Sequence, residues 1–415
     1  MNKQKKYFKN KLVIQKYGGS SVGNVAKIKN AANRIITYVK QGKGVVAVVS
    51  AMGDTTNELI GLAKEISPRP SSREMDMLIS TGEQISCALL AMAIHKKGFD
   101  AVSFTGSQVG IITDTYHTQA KILNIEADRI KKSLRKGKVV IVAGFQGLST
   151  SAEITTLGRG GSDLSAVALA VVLKADVCEI YTDVEGIYTA DPRIVPEAKK
   201  LKCITFDEML ELASRGAQVM HTRAVEVAKK FNIPLCVRGS FSKKEGTTIM
   251  ERSSSIEESV VRGVTLATNE AKVTLCNVYD APGVAARIFN ELASENVNVD
   301  MIVQNVSHKR TTDISFTVPK NDLAKTLKVS KSISKSIKVG QTGVDENIAK
   351  VSVVGVGMKS HSGVAAKCFS ILAKNKINID MISTSEISIS CVVKKDSGRK
   401  ALKALHSAFK LEKIK

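Results

Sequence analysis

"KLVIQKYGGSSVG", residues 11–23, runs from a short apolar stretch into a glycine pair and two hydroxyls, and an amphipathic stretch follows at once. Leu12, Val13 and Ile14 form an apolar run without alternation, which reads as a strand buried on both faces, the kind used by parallel sheets. The glycines then read as the turn from strand to helix. The same order returns along the first 250 residues. "GVVAVVS" (44–50), "AVSFTG" (101–106), "KVVIVAGF" (138–145), "CEIYTD" (178–183) and "IPLCVRG" (233–239) read as strands. Between them lie helical patterns such as "VAKIKNAANRIITYVKQG" (25–42), "SREMDMLISTGEQISCALLAMAIHKKG" (72–98) and "SDLSAVALAVVLKA" (162–175). Strand and helix in alternation predict an α/β sheet with helices on both faces.

The polar segment "FSKKEGTTIMERSSSIEES" (241–259) carries no apolar period and marks a junction between domains. An internal repeat follows. "AKVTLCNVYDAPGVAARIFNELASENVNVDMI" begins at Ala271, and "AKVSVVGVGMKSHSGVAAKCFSILAKNKINIDMI" begins at Ala349. Lys272 aligns with Lys350, Gly283 with Gly363 and Asp300 with Asp380. Each copy reads strand, glycine turn, amphipathic helix, strand, so the second half of the chain is a duplication.

Gross composition narrows the function classes. The chain has 415 residues, 43% hydrophobic, with a formal net charge of +22 and no Trp. Such a charge invites a nucleic-acid reading, but residues 1–50 alone hold 11 Lys+Arg and no acid. The rest is mostly lysine spread singly, without the aromatics that stack bases. A solvated lysine-rich surface, and no nucleic-acid partner, is the expectation. Seven scattered cysteines without a C-x-x-C imply free thiols in a reducing cytoplasm rather than a disulfide framework or a structural metal. "MNKQKKYFKNK" is basic but no apolar core follows it, so no secretory signal is expected, and no apolar run is long enough to span a membrane.

Three glycine- and hydroxyl-rich segments fall at expected strand ends, where open α/β sheets place their ligands. In "QKYGGSS", Lys16 precedes Gly18 and Gly19, the reverse of a P-loop, and G-x-x-x-x-G-K-[ST] occurs nowhere. A cation beside uncrowded N–H groups still suits phosphate oxygens, although a plain turn has the same look. In "TTLGRGGSD" (155–163), three glycines surround Arg159. Ser162 or Asp163 fits a helix cap, whereas a guanidinium among glycines suits a carboxylate or phosphate. "YTDVEGIYTADPRIV" (181–195) offers hydroxyls, carbonyls and carboxylates for a ribose, an adenine or Mg²⁺, or else makes a rigid turn about Pro192. Fainter candidates are "SAMGDTTNE" and Glu83 in "STGEQIS". No His lies inside the three segments, which argues against imidazole catalysis.

In this order "KYGGSSV", "SAMGDTTNEL", "MLISTGEQIS", "TTLGRGGSD" and "YTDVEGIYTADPRIVPEA" resemble the aspartate kinases of the amino-acid-kinase superfamily, and the duplicated unit resembles their paired ACT domains. The resemblance covers Leu12 to about Leu411. It implies a three-layer αβα catalytic domain with a mainly parallel open sheet, followed by two βαββαβ, ferredoxin-like ACT domains. The expected boundaries are a basic extension (1–11), the kinase domain (12–250), a linker (251–263), a first ACT domain (264–340) and a second (341–415). It implies the reaction ATP + L-aspartate → 4-phospho-L-aspartate + ADP, opening the route to lysine, threonine, methionine and diaminopimelate. Mg-ATP is the expected co-substrate, with Mg²⁺ held mainly by the phosphates.

By the same resemblance Lys16 reaches the transferred phosphoryl group, Asp163 orients Lys16, and Gly18, Gly19 and Ser20 line the phosphate path. Arg159 clamps the substrate α-carboxylate with Gly160, Gly161 and Ser162 around it. Glu83 meets the α-ammonium, and Ser50 and Thr56 complete the aspartate site. Tyr181, Thr182, Asp183 and the run Ile187, Tyr188, Thr189, Ala190, Asp191 and Pro192 match the nucleotide-binding strand and loop. In "GAQVMHTR" Gln218 stands where many relatives carry a lysine near the nucleotide, so a neutral contact is expected there. Asp280, Ala285, Asn298, Asp300 and Gln304, with Val364, Asn378 and Ile379, match effector positions for lysine, threonine or both. Asp280 and Asp300 are each expected to meet an ammonium. A homo-oligomer through the ACT domains is expected, or an assembly with a regulatory chain started internally near Met250.

Overall fold

The computed structural model describes residues 11–217, 219–251, 259–305, 310–336, 340–359 and 361–414. Gln218, most of the basic extension and residues 252–258 of the expected linker lie outside them.

The first 250 residues are built on an eight-stranded sheet. Its strands, numbered along the chain, are β1 (Leu12–Tyr17), β2 (Gly44–Val49), β3 (Ala101–Phe104), β4 (Val139–Ala143), β5 (Val177–Thr182), β6 (Cys203–Thr205), β7 (Leu235–Gly239) and β8 (Thr247–Met250). Their order across the sheet is β6-β8-β7-β5-β1-β2-β4-β3. Every pairing is parallel except β7 with β8. The chain leaves β1 to β2 on one side and reaches β5 on the other, so the carboxyl end of β1 is where the winding reverses and a crevice opens.

The unalternating apolar strands are explained by two cores. In β2 every residue is buried. Val45, Ala47 and Val49 face the core that holds Ile28, Ala32 and Ile35 of helix α1 (Val25–Lys40) and Leu90 and Ile94 of α2 (Thr81–His95). Val46 and Val48 face the opposite core, with Ala166 and Leu169 of α3 (Gly161–Leu173) and Val225 of α5 (Thr222–Lys230). Each valine fully buried this way contributes about 1.5–3 kcal/mol. Helix α4 (Phe206–Ser214) closes the far edge with a capping box, in which Thr205 and Glu208 satisfy each other's backbone donors. Ser72–His95 has an 18-residue window apolar enough to cross a membrane by length and composition; half of that window is buried, the packing of a core helix.

A second small sheet was not legible in the sequence. Its strands, Ile122–Ile125, Ile111–Thr113, Gln146–Ser149 and Ile154–Thr156, lie beside the main sheet in that order. They are three or four residues long, too short to show a period. The hairpin of the last two delivers the chain to Gly158–Gly161.

The duplicated region forms two four-stranded sheets with helices, and they divide differently from a split after residue 340. Glu270–Tyr279, Ile302–Gln304 and Thr311–Pro319 take Gln341–Asp345 as fourth strand. Ile348–Val354, Met381–Thr384 and Ser388–Lys394 take Gly263–Ala267, which precedes the first copy. The first unit is therefore inserted between the first strand of the second unit and the rest of it. A repeat search aligns only the homologous cores, so it misses a strand exchanged outside them. Met301, Ile348, Met381 and Val392 form a separate apolar cluster between the units.

Candidate active site

Lys16 lies at the carboxyl end of β1, in register with Val48 of β2 and Ile180 of β5. Its Nζ stands 2.7 Å from Asp163 Oδ1 in the first turn of α3, and both side chains are largely buried. Two elements far apart in sequence thus join a cation and an anion at the crevice. The Gly18 N–H donates to the Tyr181 carbonyl at 3.3 Å, and the Gly53 N–H donates to the Gly19 carbonyl at 3.1 Å, which ties the glycine pair to its neighbours on both sides. A Cβ on Gly19 would stand 3.0 Å from the Ala51 carbonyl oxygen, so glycine is what allows this approach. Ser20 is exposed, whereas Ser21 is buried and reaches the Tyr181 carbonyl (3.2 Å) and Ser240 Oγ (2.5 Å).

The glycine loop enters α3 from above. Gly160 has φ +69, a left-handed conformation, and a Cβ there would lie 2.3 Å from His221 Cβ. Arg223 supports the loop from beneath, donating to the Leu157 and Ala120 carbonyls at 2.8 and 3.1 Å. Gly161 and Ser162 are buried at the helix start, and Gly144, just past β4, leaves room for the Ser162 side chain. Arg159 is exposed and pairs with no carboxylate among the described residues. Its guanidinium is therefore open to a ligand anion.

Glu83 is buried at the N-terminal turn of α2, with Oε1 accepting the Ala51 N–H at 3.1 Å and Oε2 buried without a partner. Burial pushes its pKa up to about 7, opposed by backbone hydrogen bonds. A carboxyl at the edge of ionisation with an unpartnered oxygen suits an arriving ammonium. Ser50 follows β2, and Thr56 sits in the first turn of the helix Thr55–Ile66, so they flank the loop whose Ala51 bonds Glu83.

The third segment divides. Thr182 and Asp183 bond each other at 3.0 Å at the end of β5. The Tyr181 ring is turned inward, stacked on Tyr17 at 4.9 Å and bonded to Glu179 at 2.8 Å. Only its backbone faces the crevice, where the carbonyl already accepts Gly18 and Ser21. Ile187, Thr189 and Ala190 also bury their side chains, while Tyr188 and Pro192 are half-buried. Asp191 is held by Arg193 at 2.8 Å, which lowers its pKa. That pair makes the turn about Pro192.

Two features escaped the sequence reading. His221, remote from every glycine segment in sequence, packs against Gly160, and its Nδ1 is buried without a hydrogen-bond partner. Burial lowers its pKa while the Asp163 charge opposes that. Behind the Gly18–Gly19 turn, Glu179 gathers Gln15, Tyr38, Tyr181 and Arg238 within 3.2 Å. Polar residues inside apolar strands were the only sign of that cluster.

Among the effector positions, Asp280, Asn298, Gln304 and Asn378 are exposed, Ala285 and Ile379 are half-buried, and Val364 is buried. Asp300 already meets cations of its own chain. It pairs with Arg215, just after α4, at 2.9 Å and with Lys350 of the second unit.

A lysine charge fixed where a parallel αβα sheet opens, with glycine backbone on either side, fits a small-molecule phosphotransferase. The chain belongs to the amino acid kinase family, whose model matches residues 11–239, and the ACT domain model matches residues 277–331 and 351–409. Within that family it is one of the aspartate kinases. It is 51% identical to the aspartokinase of Pseudomonas aeruginosa, over 97% of this chain and 98% of that one. It is 50% identical to aspartokinase 2 of Bacillus subtilis, over 97% and 98%. Among solved structures, E. coli aspartokinase III with aspartate and ADP (R-state) is similar at TM-score 0.83 and 25% identity, covering 96% of this chain and 99% of that one. The same enzyme with lysine and aspartate (T-state) gives 0.75, at 25% identity and 96% and 100% coverage.

Proposed function

We propose that this chain transfers the γ-phosphoryl group of ATP to the side-chain carboxylate of L-aspartate, giving 4-phospho-L-aspartate and ADP, under control of its ACT units. The Lys16–Asp163 pair at the mouth of the sheet carries the reading. The nucleophile, with an ordinary pKa of about 3.9, is already ionised at neutral pH and needs no general base. Catalysis then rests on positioning and on charge neutralisation, as phosphoryl transfer generally does.

In this reading Lys16 neutralises charge on the transferred group, and Asp163 holds the ammonium in place. Arg159 takes the α-carboxylate, Glu83 the α-ammonium, and Ser50, Thr56, Gly160, Gly161 and Ser162 shape the aspartate pocket. Gly18, Gly19 and Ser20 offer backbone and hydroxyl to phosphates. Thr182, Asp183 and the backbone of Ile187–Pro192 hold the nucleoside, and Gln218 adds a neutral contact. Mg²⁺ enters on the ATP phosphates, where it offsets their charge; such sites draw on one or two carboxylates rather than a protein cage.

Lysine, threonine or both act as inhibitors at the ACT units, through Asp280, Ala285, Asn298, Gln304, Val364, Asn378 and Ile379. The exposed Tyr279, Ile302, Val344 and Ile382 on the two regulatory sheets support a homo-oligomer built through them. Both sheets lie after residue 262, so a chain started at Met250 would contain both whole. Seven free cysteines, five of them buried, support a cytoplasmic setting.

The test is a hydroxamate assay with ATP, Mg²⁺ and a panel of amino acids, with and without lysine and threonine. Product with aspartate alone is expected. Product only with glutamate, or with no amino acid, overturns the assignment.

A further inference from the structure

The loop that follows β5 is completed by the regulatory half of the chain. Ala190, Val195 and Ala198 are buried in one core with Val264, Val351 and Leu405 of the second regulatory unit. At the head of that stretch Thr189 is fully buried, and each of its polar atoms has a partner. Its N–H donates to the Lys199 carbonyl at 2.9 Å, and its carbonyl accepts the Val264 N–H at 2.8 Å. Its Oγ1 accepts the Lys199 N–H at 2.9 Å and stands 2.9 Å from His406 Nε2. Val264 and His406 both belong to the second unit, on its first strand and on the helix Lys395–Ala408.

Thr189 Oγ1 accepts one N–H and still has a second lone pair and its own hydrogen, so it bonds the ring nitrogen in either neutral tautomer. His406 is 2% exposed, and burial lowers its pKa against the pull of Glu412 and Glu197, which keeps it neutral near pH 7.

We propose that His406 is a positioning residue for ATP, holding Thr189 so that Ile187–Pro192 keeps its nucleotide-binding shape. This rests on the reading of that loop as the nucleotide site. The apolar core fixes the loop's depth, and the directional hydrogen bonds of Thr189 with His406 and Val264 fix its rotation. Apolar contacts tolerate sliding that a directional bond does not. Regulatory helix and nucleotide loop therefore meet directly, with no intervening chain.

The test uses the full-length protein, with KM for ATP and for aspartate measured separately and ADP binding followed by calorimetry. His406→Ala should weaken ATP and ADP by about tenfold, the effect of one buried hydrogen bond lost, with KM for aspartate within about twofold of wild type. His406→Gln, whose amide can donate or accept near the Nε2 position, should recover most of the loss. Should His406→Ala not fold, Thr189→Val removes the same bond from the other side, together with the one from Lys199, and must show the same split, whereas Thr189→Ser keeps both and must not. Equal nucleotide binding by wild type and variant overturns the proposal and leaves the loop assignment standing. A wild-type protein that binds no ADP overturns both. Parallel loss of ATP and aspartate, without rescue by Gln, reduces His406 to a packing role and also overturns it.

Discussion

Lys16 Nζ and Asp163 Oδ1 stand 2.7 Å apart, the one at the end of the first strand and the other in the first turn of α3. The lysine is only 13% exposed and the aspartate 8%, so each charge depends on the other for its place. Removing one partner of such a pair leaves an uncompensated charge and a mobile side chain. Lys16→Ala should lower kcat by at least about 10²- to 10³-fold, the usual effect of losing one charge-stabilising donor. Aspartate binding, measured by calorimetry, should persist. Asp163→Asn should lose activity too, and the double variant should be no worse than Lys16→Ala, because the two act as one unit. Multiplicative losses would mean that Asp163 works independently of Lys16.

Glu83 gives the site a pH dependence whose sign can be worked out. Burial raises its pKa to about 7 from an ordinary 4.5. Only the ionised form pairs with an ammonium, so aspartate affinity should fall as pH drops from about 8 to 6. Binding at pH 7 should release about half a proton. Calorimetry in buffers of different ionisation enthalpy reads that number directly, and Glu83→Gln should abolish it. The stability sign is opposite. A raised folded-state pKa means the contribution is full below pH 4.5 and is lost as pH rises through 7. Relative to the wild type, Glu83→Gln should therefore be stabilised at pH 8 in a thermal melt, and not at pH 5.

Gly160 is constrained twice, by its φ of +69 and by His221 Cβ 2.3 Å from where its own Cβ would be. Gly160→Ala adds about 1–2 kcal/mol of backbone strain and pushes the loop off His221. Since Arg159 rides on that loop, KM for aspartate should rise while KM for ATP changes less. Adding His221→Ala removes the clash but not the strain, so partial recovery is expected in steady-state kinetics. No recovery would show that strain alone sets the defect.

What the sequence disclosed follows how local each cause was. The strands of the main sheet were legible because burial on both faces leaves an unbroken apolar run, as in "GVVAVV". The glycine-rich segments drew attention to Lys16 and Arg159, and the resemblance joined Asp163 to Lys16; the structure pairs Lys16 with Asp163 and leaves Arg159 exposed. His221 was not, since its partner Gly160 lies some sixty residues earlier in the chain. The strand Gly263–Ala267 also stayed hidden: its partner, Ile348–Val354, follows an entire inserted unit. Tyr181 was read as a nucleotide contact, yet its ring faces the core, because alternation along β5 sends it to the Tyr17 side of the sheet. Asp300, expected to await a free ammonium, is taken by Arg215 and Lys350, long-range partners that no local pattern signals.

Lys350 is the most severely buried charge in the regulatory half, with no exposed side-chain surface. It pairs with Glu270 at 2.6 Å and with Asp300, which also holds Arg215 of the catalytic half. Two carboxylates around one ammonium make each partly redundant, so Glu270→Ala or Asp300→Ala alone should destabilise modestly. Removing both leaves a bare buried cation, and the loss should reach about 3–5 kcal/mol. Replacing Lys350 with Met in that double variant removes the stranded charge and should restore much of the stability, because an apolar side chain of similar length suits the space. Urea unfolding of the wild type and the four variants checks the order, and the triple variant must be more stable than the double. If Asp300→Ala alone also blunts inhibition by lysine or threonine while Glu270→Ala does not, the Arg215 link and not the Lys350 pair transmits the effect. Equal blunting by both variants would assign transmission to Lys350 instead.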